Sequence, residues 1–178
     1  LVNAGTNPFT VTGLNAGLAY QFYVRDSCGL ANHSTWTGPL TYSTACGIVA
    51  APFTENFDGT VWTVNGNPAP GVIDPCWTRS ATTVYWWKPR TGDTPSALTG
   101  PAADHTTGTG KYLYTETSNG GTSTTITSPA INLVPLTNPE LSFYYHMYGA
   151  EINKLEVEIN DGGTAWTVIS TITGQQQT

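Results

Sequence analysis

Asp104-His105-Thr106 places a carboxylate, an imidazole and a hydroxyl in succession, three of the group types that nucleophilic and acid–base chemistry uses. Their arrangement argues against catalysis. No Ser-His-Asp order stands in a nucleophile elbow, and the segment is not a His-Glu-x-x-His zinc-hydrolase pattern. A zinc site would need a third His or Cys in a matching array, and besides His105 and His146 there is only the distant His33. No pair of acids stands out in the cleft-like setting that glycoside hydrolysis requires. His105 and His146 are therefore expected to hydrogen-bond within turns and strand faces. Asp104 has two readings. It is an oxygen donor to Ca²⁺, which takes about six to eight oxygens, or it caps its own turn by accepting from backbone N–H groups.

Tyr85-Trp86-Trp87 is the second feature with chemical content. Consecutive strand residues point to opposite faces, so one of Trp86 and Trp87 is expected outward. An outward Trp flanked by Lys88 and Arg90 calls for a covering loop, a neighbouring module, a protein partner or a sugar ring to stack on. Tyr85, Trp86 and Trp87 are accordingly the ligand-binding candidates.

Composition narrows the classes. Charged residues make up 10% of the chain, and the formal net charge is −6 with six Lys and Arg in all. Six cations cannot build the basic face that phosphate neutralisation needs, which excludes nucleic acid and anionic lipid surfaces as partners. No apolar run approaches the ~20 residues that span a bilayer. Hydrophobic content of 39%, with 6 Trp and 9 Tyr, is enough for a core. Three cysteines leave one over if two pair.

The elements that must position these residues read as strands throughout. Tyr20, Phe22 and Val24 alternate with Gln21, Tyr23 and Arg25; Leu155, Val157 and Ile159 alternate with Glu156, Glu158 and Asn160. Asp161-Gly162-Gly163 is a hairpin turn, after which Trp166 and Val168 are expected to resume the inward face. No segment sustains a helical period with caps. The fold class is all-β. Residues 1–46 form one unit, 47–52 a short linker that restricts motion, and 53–178 a second unit.

Two resemblances sharpen this. ENFD (Glu55 to Asp58), CWTRS (Cys76 to Ser80), Gly100-Pro101 with Asp104-His105-Thr106, KYLYTETS (Lys111 to Ser118), ITSPAI (Ile126 to Ile131) and LSFYYHMYG (Leu141 to Gly149) stand in the order found in MAM domains. The second unit resembles that family, whose fold is a jelly-roll β-sandwich. VTGLNAGLAYQFYVR (Val11 to Arg25) is similar to the tyrosine corner and following strand of a fibronectin type III domain, with Leu14, Gly17 and Tyr20 at the marking positions. Only the last three type III strands are represented, and the resemblances imply further strands beyond both ends.

These likenesses carry further expectations. The Thr/Asn/Gly-rich style resembles secreted surface adhesins of Bacteroidota exported by the type IX system. That resemblance implies a disulfide between Cys28 and Cys46, leaving Cys76 as a small buried residue or the partner of a cysteine elsewhere. In a jelly roll the first strand and the strand after the Asp-His-Thr turn can converge, which implies a structural calcium site formed by Asp58, Asp104 and Glu116, with Glu55 replacing Asp58 if the register slips. The implied function is non-catalytic adhesion or recognition outside the cell, with surface proteins, glycans or neighbouring modules of the same chain as partners. The alternatives are a carbohydrate-binding module, an accessory domain of a secreted hydrolase, and a repeat of an extracellular filament.

Overall fold

The alternating segments fold as strands. The computed structural model is all-β, with ten strands and no helix among the residues described, which are 2–29, 31–66, 69–80, 85–116 and 120–177. Thr117 and Ser118, at the end of KYLYTETS, and Thr178 lie outside them.

β1 (Ala19–Val24) and β2 (Thr37–Ser43) form an antiparallel hairpin in which Ala19 pairs with Ser43 and Val24 with Thr37. The next six strands pair in nested order. β3 (Val49–Ala50) runs parallel to β8 (Ile131–Asn132). β4 (Thr78–Arg79) pairs antiparallel with β7 (Ile126–Thr127), and β5 (Lys88–Arg90) with β6 (Tyr112–Tyr114). The two inner, antiparallel pairs nest as in a ribbon folded over on itself, the parallel β3–β8 pair lies outside them, and the all-β arrangement is consistent with a jelly-roll sandwich. A last hairpin joins β9 (Lys154–Ile159) to β10 (Thr167–Thr173). The segment 47–52, expected as a linker, contains β3 and so is pinned to β8, with Val49 N–H donating to Ala130 O at 2.8 Å.

The core of the nested body is aromatic. Trp62, 1% exposed, lies edge-on to Phe57 and Trp77, with ring centroids 5.0 and 5.6 Å away. Such edge-to-face pairs add about 0.5–1.5 kcal/mol each beyond area burial. Phe57 reaches this position with φ at 64°, a left-handed backbone that costs a bulky residue about 1–3 kcal/mol. The ENFD segment holds it there: Phe57 N–H donates to Glu55 Oε1 at 2.6 Å, and Asp58 N–H to Asn56 Oδ1 at 3.1 Å. On β4, the Arg79 guanidinium donates to three carbonyls, those of Pro70 and Gly71 at 2.7 Å and of Trp87 at 3.1 Å, tying a loop to the sheet where no strand pairs.

The two hairpins are covered at one end only. Tyr20 and Phe22 of β1 are half-buried, but Val24 is exposed. Leu155 and its partner Ile172 are half-buried, whereas Ile159, Trp166 and Val168 stand open. The expected inward face of Trp166 and Val168 is therefore not realised. They lie at the turn end of the ribbon, which projects from the body. The accessible surface is 12786 Å², against about 8,400 Å² expected for a compact monomer of this mass.

Candidate functional site

The Asp-His-Thr turn is built around Asp104, which is 8% exposed. Thr107 N–H donates to its Oδ2 at 2.7 Å, Gly110 N–H to its Oδ1 at 2.6 Å, and the Thr107 hydroxyl bonds to the carboxylate at 3.1 Å. These donors, the Thr107 backbone N–H above all, hold the Asp104 carboxyl below its ordinary range even though partial desolvation works the other way. Of the two readings of Asp104, the structure shows the turn cap.

Asp58 meets the same turn. Its Oδ1 accepts from Lys111 N–H at 2.7 Å and its Oδ2 from the Asn56 side-chain amide at 3.1 Å. A Cβ added to Gly110 would come within 2.6 Å of Asp58 Oδ1, so only a residue without a side chain lets the turn approach this closely. Lys111 was not legible as part of this site, although it is the only Lys or Arg between Arg90 and Lys154. Its ammonium donates to the carbonyls of Asp58 at 3.0 Å and Gly59 at 3.3 Å. The expected calcium set is thus only partly assembled. Asp58 and Asp104 converge, but Glu116 Oε2 accepts from Ser96 Oγ at 2.9 Å and acts electrostatically on Lys88. Among the described residues no group of three His, Cys, Asp or Glu side chains could hold a metal ion. The residues as placed do not fit a calcium cage, because N–H donors occupy the carboxylates and a tethered cation lies on the nearby carbonyls.

This arrangement predicts the response to cation and to pH. Melting temperature is expected to be the same in excess Ca²⁺ and in chelator; a rise of several degrees with Ca²⁺ that Asp104→Asn abolishes would restore the metal. The folded pKa of Asp104 lies below its unfolded value. Its stabilisation is therefore whole above about pH 4 and is lost as pH falls through the folded value. Burial lowers the pKa of His146 as well, so its contribution is whole above about pH 6.5 and fades below that. A thermal-melt series should be flat from about pH 7 to 8, dip slightly below about pH 6.5, since His146 is largely exposed, and fall again below about pH 4. Asp104→Asn should remove the lower step, and its persistence would show that other carboxylates cause it.

The two signature segments touch. His105 stacks on Tyr144, with ring centroids 3.4 Å apart and planes 14° from parallel. His146 faces Tyr148 edge-on at 6.4 Å, although the 141–148 segment, expected as a strand, forms none. Met147 is buried, and its carbonyl accepts from the N–H groups of Gln176 at 2.8 Å and Gln177 at 3.2 Å.

The aromatic candidates are not presented as a platform. Tyr85, Trp86 and Trp87 are each half-buried. The Trp87 indole N–H donates to Thr124 O at 3.3 Å, and the backbone at Gly121 lies against Tyr85, whose Cβ would be 2.6 Å from an added Cβ. The 120–125 segment thus meets Tyr85 and Trp87, which accords with the covering loop among the readings of this stretch.

The expected disulfide is corrected. Cys46 pairs with Cys76, with Cα atoms 5.4 Å apart, and Cys28 is a free, exposed thiol. Strand polarity explains why. Cys28 follows Val24, which pairs with Thr37, while Cys46 follows Ser43, which pairs with Ala19. The two cysteines lie beyond opposite ends of the hairpin, too far apart for a bond that needs Cα atoms within about 7 Å.

Comparison with known proteins follows the same lines. Residues 73–178 match the family model described as MAM domain, meprin/A5/mu. The chain is 42% identical over 73 residues to MAM domain-containing protein 2 of Mus musculus, covering 40% of this chain and 10% of that protein. It is 38% identical over 91 residues to Thyroid hormone-induced protein B of Xenopus laevis, covering 46% and 13%, and 32% identical over 98 residues to Neuropilin-1a of Danio rerio, covering 52% and 10%. It spans about a tenth of the length of these relatives. No solved structure matches. The family match includes Asp104-His105-Thr106 and Leu141 to Gly149, the segments joined by the His105–Tyr144 stack, and it takes in more than half of the residues. On that match, the chain belongs to the MAM domain family.

Proposed function

We propose that this chain is a non-catalytic extracellular adhesion or recognition unit that works through protein–protein contact. One observation carries the reading: residues 73–178 match the MAM domain model, and the two segments that mark it are joined by the His105–Tyr144 stack rather than by any catalytic grouping. The disulfide suits an oxidising compartment, and no helix among the described residues is long and apolar enough to cross a membrane. The first hairpin is read as the end of a fibronectin type III sandwich. In support, Asn15 N–H donates to the Tyr20 hydroxyl at 2.8 Å, which is the bond a tyrosine corner makes. The setting proposed for the pair is a secreted surface protein of the Bacteroidota type IX kind.

Beads coated with the protein are expected to cluster, and excess soluble protein should disperse them. Dispersed wild-type beads, together with a glycan-array signal lost in Trp86→Ala, would replace this reading with carbohydrate binding.

A further inference from the structure

The disulfide joins the two units that the sequence separates, and what rests on it is a glycine. Gly17 has φ at 71°, and a Cβ built there would stand 3.0 Å from the sulfurs of both Cys46 and Cys76 and 3.2 Å from Pro75 Cβ. The backbone of the first hairpin's corner loop is thus seated on the disulfide so closely that a side chain there would have to push the sulfurs and Pro75 back by a few tenths of an ångström, on top of the positive φ that favours glycine.

Each side of this contact is fixed by its own bonds. On the hairpin, Gly17 N–H donates to Thr44 O at 3.1 Å, Thr44 N–H to Leu18 O at 2.9 Å, and the Thr44 hydroxyl to Asn15 O at 2.6 Å. The Tyr20 hydroxyl holds Asn15 N–H from the other side. On the body, Cys76 N–H donates to Asp74 Oδ1 at 2.8 Å and Trp77 N–H to Asp74 O at 2.9 Å. Trp77 belongs to the aromatic core. The chain leaves Cys46 through Gly47, whose Cα has open space around it, and enters β3 at Val49. By itself that connection is a swivel. A second covalent link at Cys46–Cys76 and a seat for the corner loop remove the swivel.

We infer that Gly17 and the Cys46–Cys76 disulfide form a clamp that fixes the orientation of the first hairpin on the MAM body. The clamp goes beyond the adhesion reading and holds whatever the partner is.

Limited proteolysis with a broad-specificity protease, followed by mass-spectrometric mapping, tests it. Gly17→Val fills the seat. Gly17→Asn also fills it but tolerates positive φ, which separates the contact from backbone strain. Neither removes a cysteine, and thiol titration should still find one free thiol per chain, that of Cys28. Both variants are expected to be cut between residues 44 and 52 about tenfold faster than wild type, with unchanged tryptophan fluorescence and a broader small-angle scattering distance distribution. Cleavage within twofold of wild type in both variants, or cuts spread along the whole chain, would overturn the clamp. Cleavage at 44–52 in Gly17→Val alone would assign the effect to strain and overturn it as well.

Discussion

Trp62→Ala should destabilise the protein by about 3–5 kcal/mol. The indole is the one large side chain among the described residues with essentially no exposed surface. Its removal leaves a cavity between Phe57 and Trp77, and two edge-to-face contacts disappear with it. Phe57 makes the loss worse. Its left-handed backbone is tolerated because the ring is held in that cluster, and without Trp62 the strain of about 1–3 kcal/mol has less to offset it. Trp62→Phe should recover a large part of the loss. Trp36→Ala serves as the contrast. That indole is half exposed and carries only the Arg25 guanidinium, 4.6 Å from its ring centroid, and its loss should cost about 1 kcal/mol or less. Urea denaturation midpoints followed by circular dichroism would rank the three. Equal midpoints for Trp62→Ala and Trp36→Ala would mean that the core lies elsewhere.

Reduction of the disulfide is the second large effect. Cys46 and Cys76 are 30 residues apart, and chain-entropy reasoning assigns a loop of that length about 3.5 kcal/mol. Cys76→Ser should lower the melting temperature by about 10 °C, taking about 2–4 °C per kcal/mol for a protein of this size. Cys28→Ser should leave it within a degree or two, because the Cys28 thiol is exposed and its one polar contact is a long one to Asp26 Oδ2 at 3.9 Å. The opposite ranking would re-establish a Cys28–Cys46 bridge and contradict the register of the first hairpin. Non-reducing peptide mapping would show the connectivity directly.

Much of the architecture is local in origin, and was legible for that reason. Alternation at Tyr20 and Phe22 or at Leu155 and Val157 defines strands, because side chains on a strand change face at every residue. The Asp161-Gly162 turn and the bond between Tyr20 and Asn15 join residues a few positions apart. The family motifs are likewise words in the chain, and their order was enough to indicate a MAM domain.

The candidate site was less legible, since its contacts join residues that are distant in sequence. Asp58 and Lys111 are 53 residues apart, and nothing near either one announces that a lysine will lie on the carbonyls beside Asp58. The alternation at Trp86 and Trp87 called for some cover over an indole but could not say which, because the residue that meets Trp87, Thr124, lies 37 residues on. Cysteine pairing failed for the same reason. Three thiols offer three pairings, and hairpin polarity together with the course of the chain to Trp77 selects among them. The amino-acid sequence by itself determined the all-β class, the turns and the family, because these follow from residue periodicity and backbone preference. Only the tertiary structure decided which cysteines bond, which tryptophan is the core and what surrounds Asp104, because those are contacts between distant segments that nested strand pairing brings together.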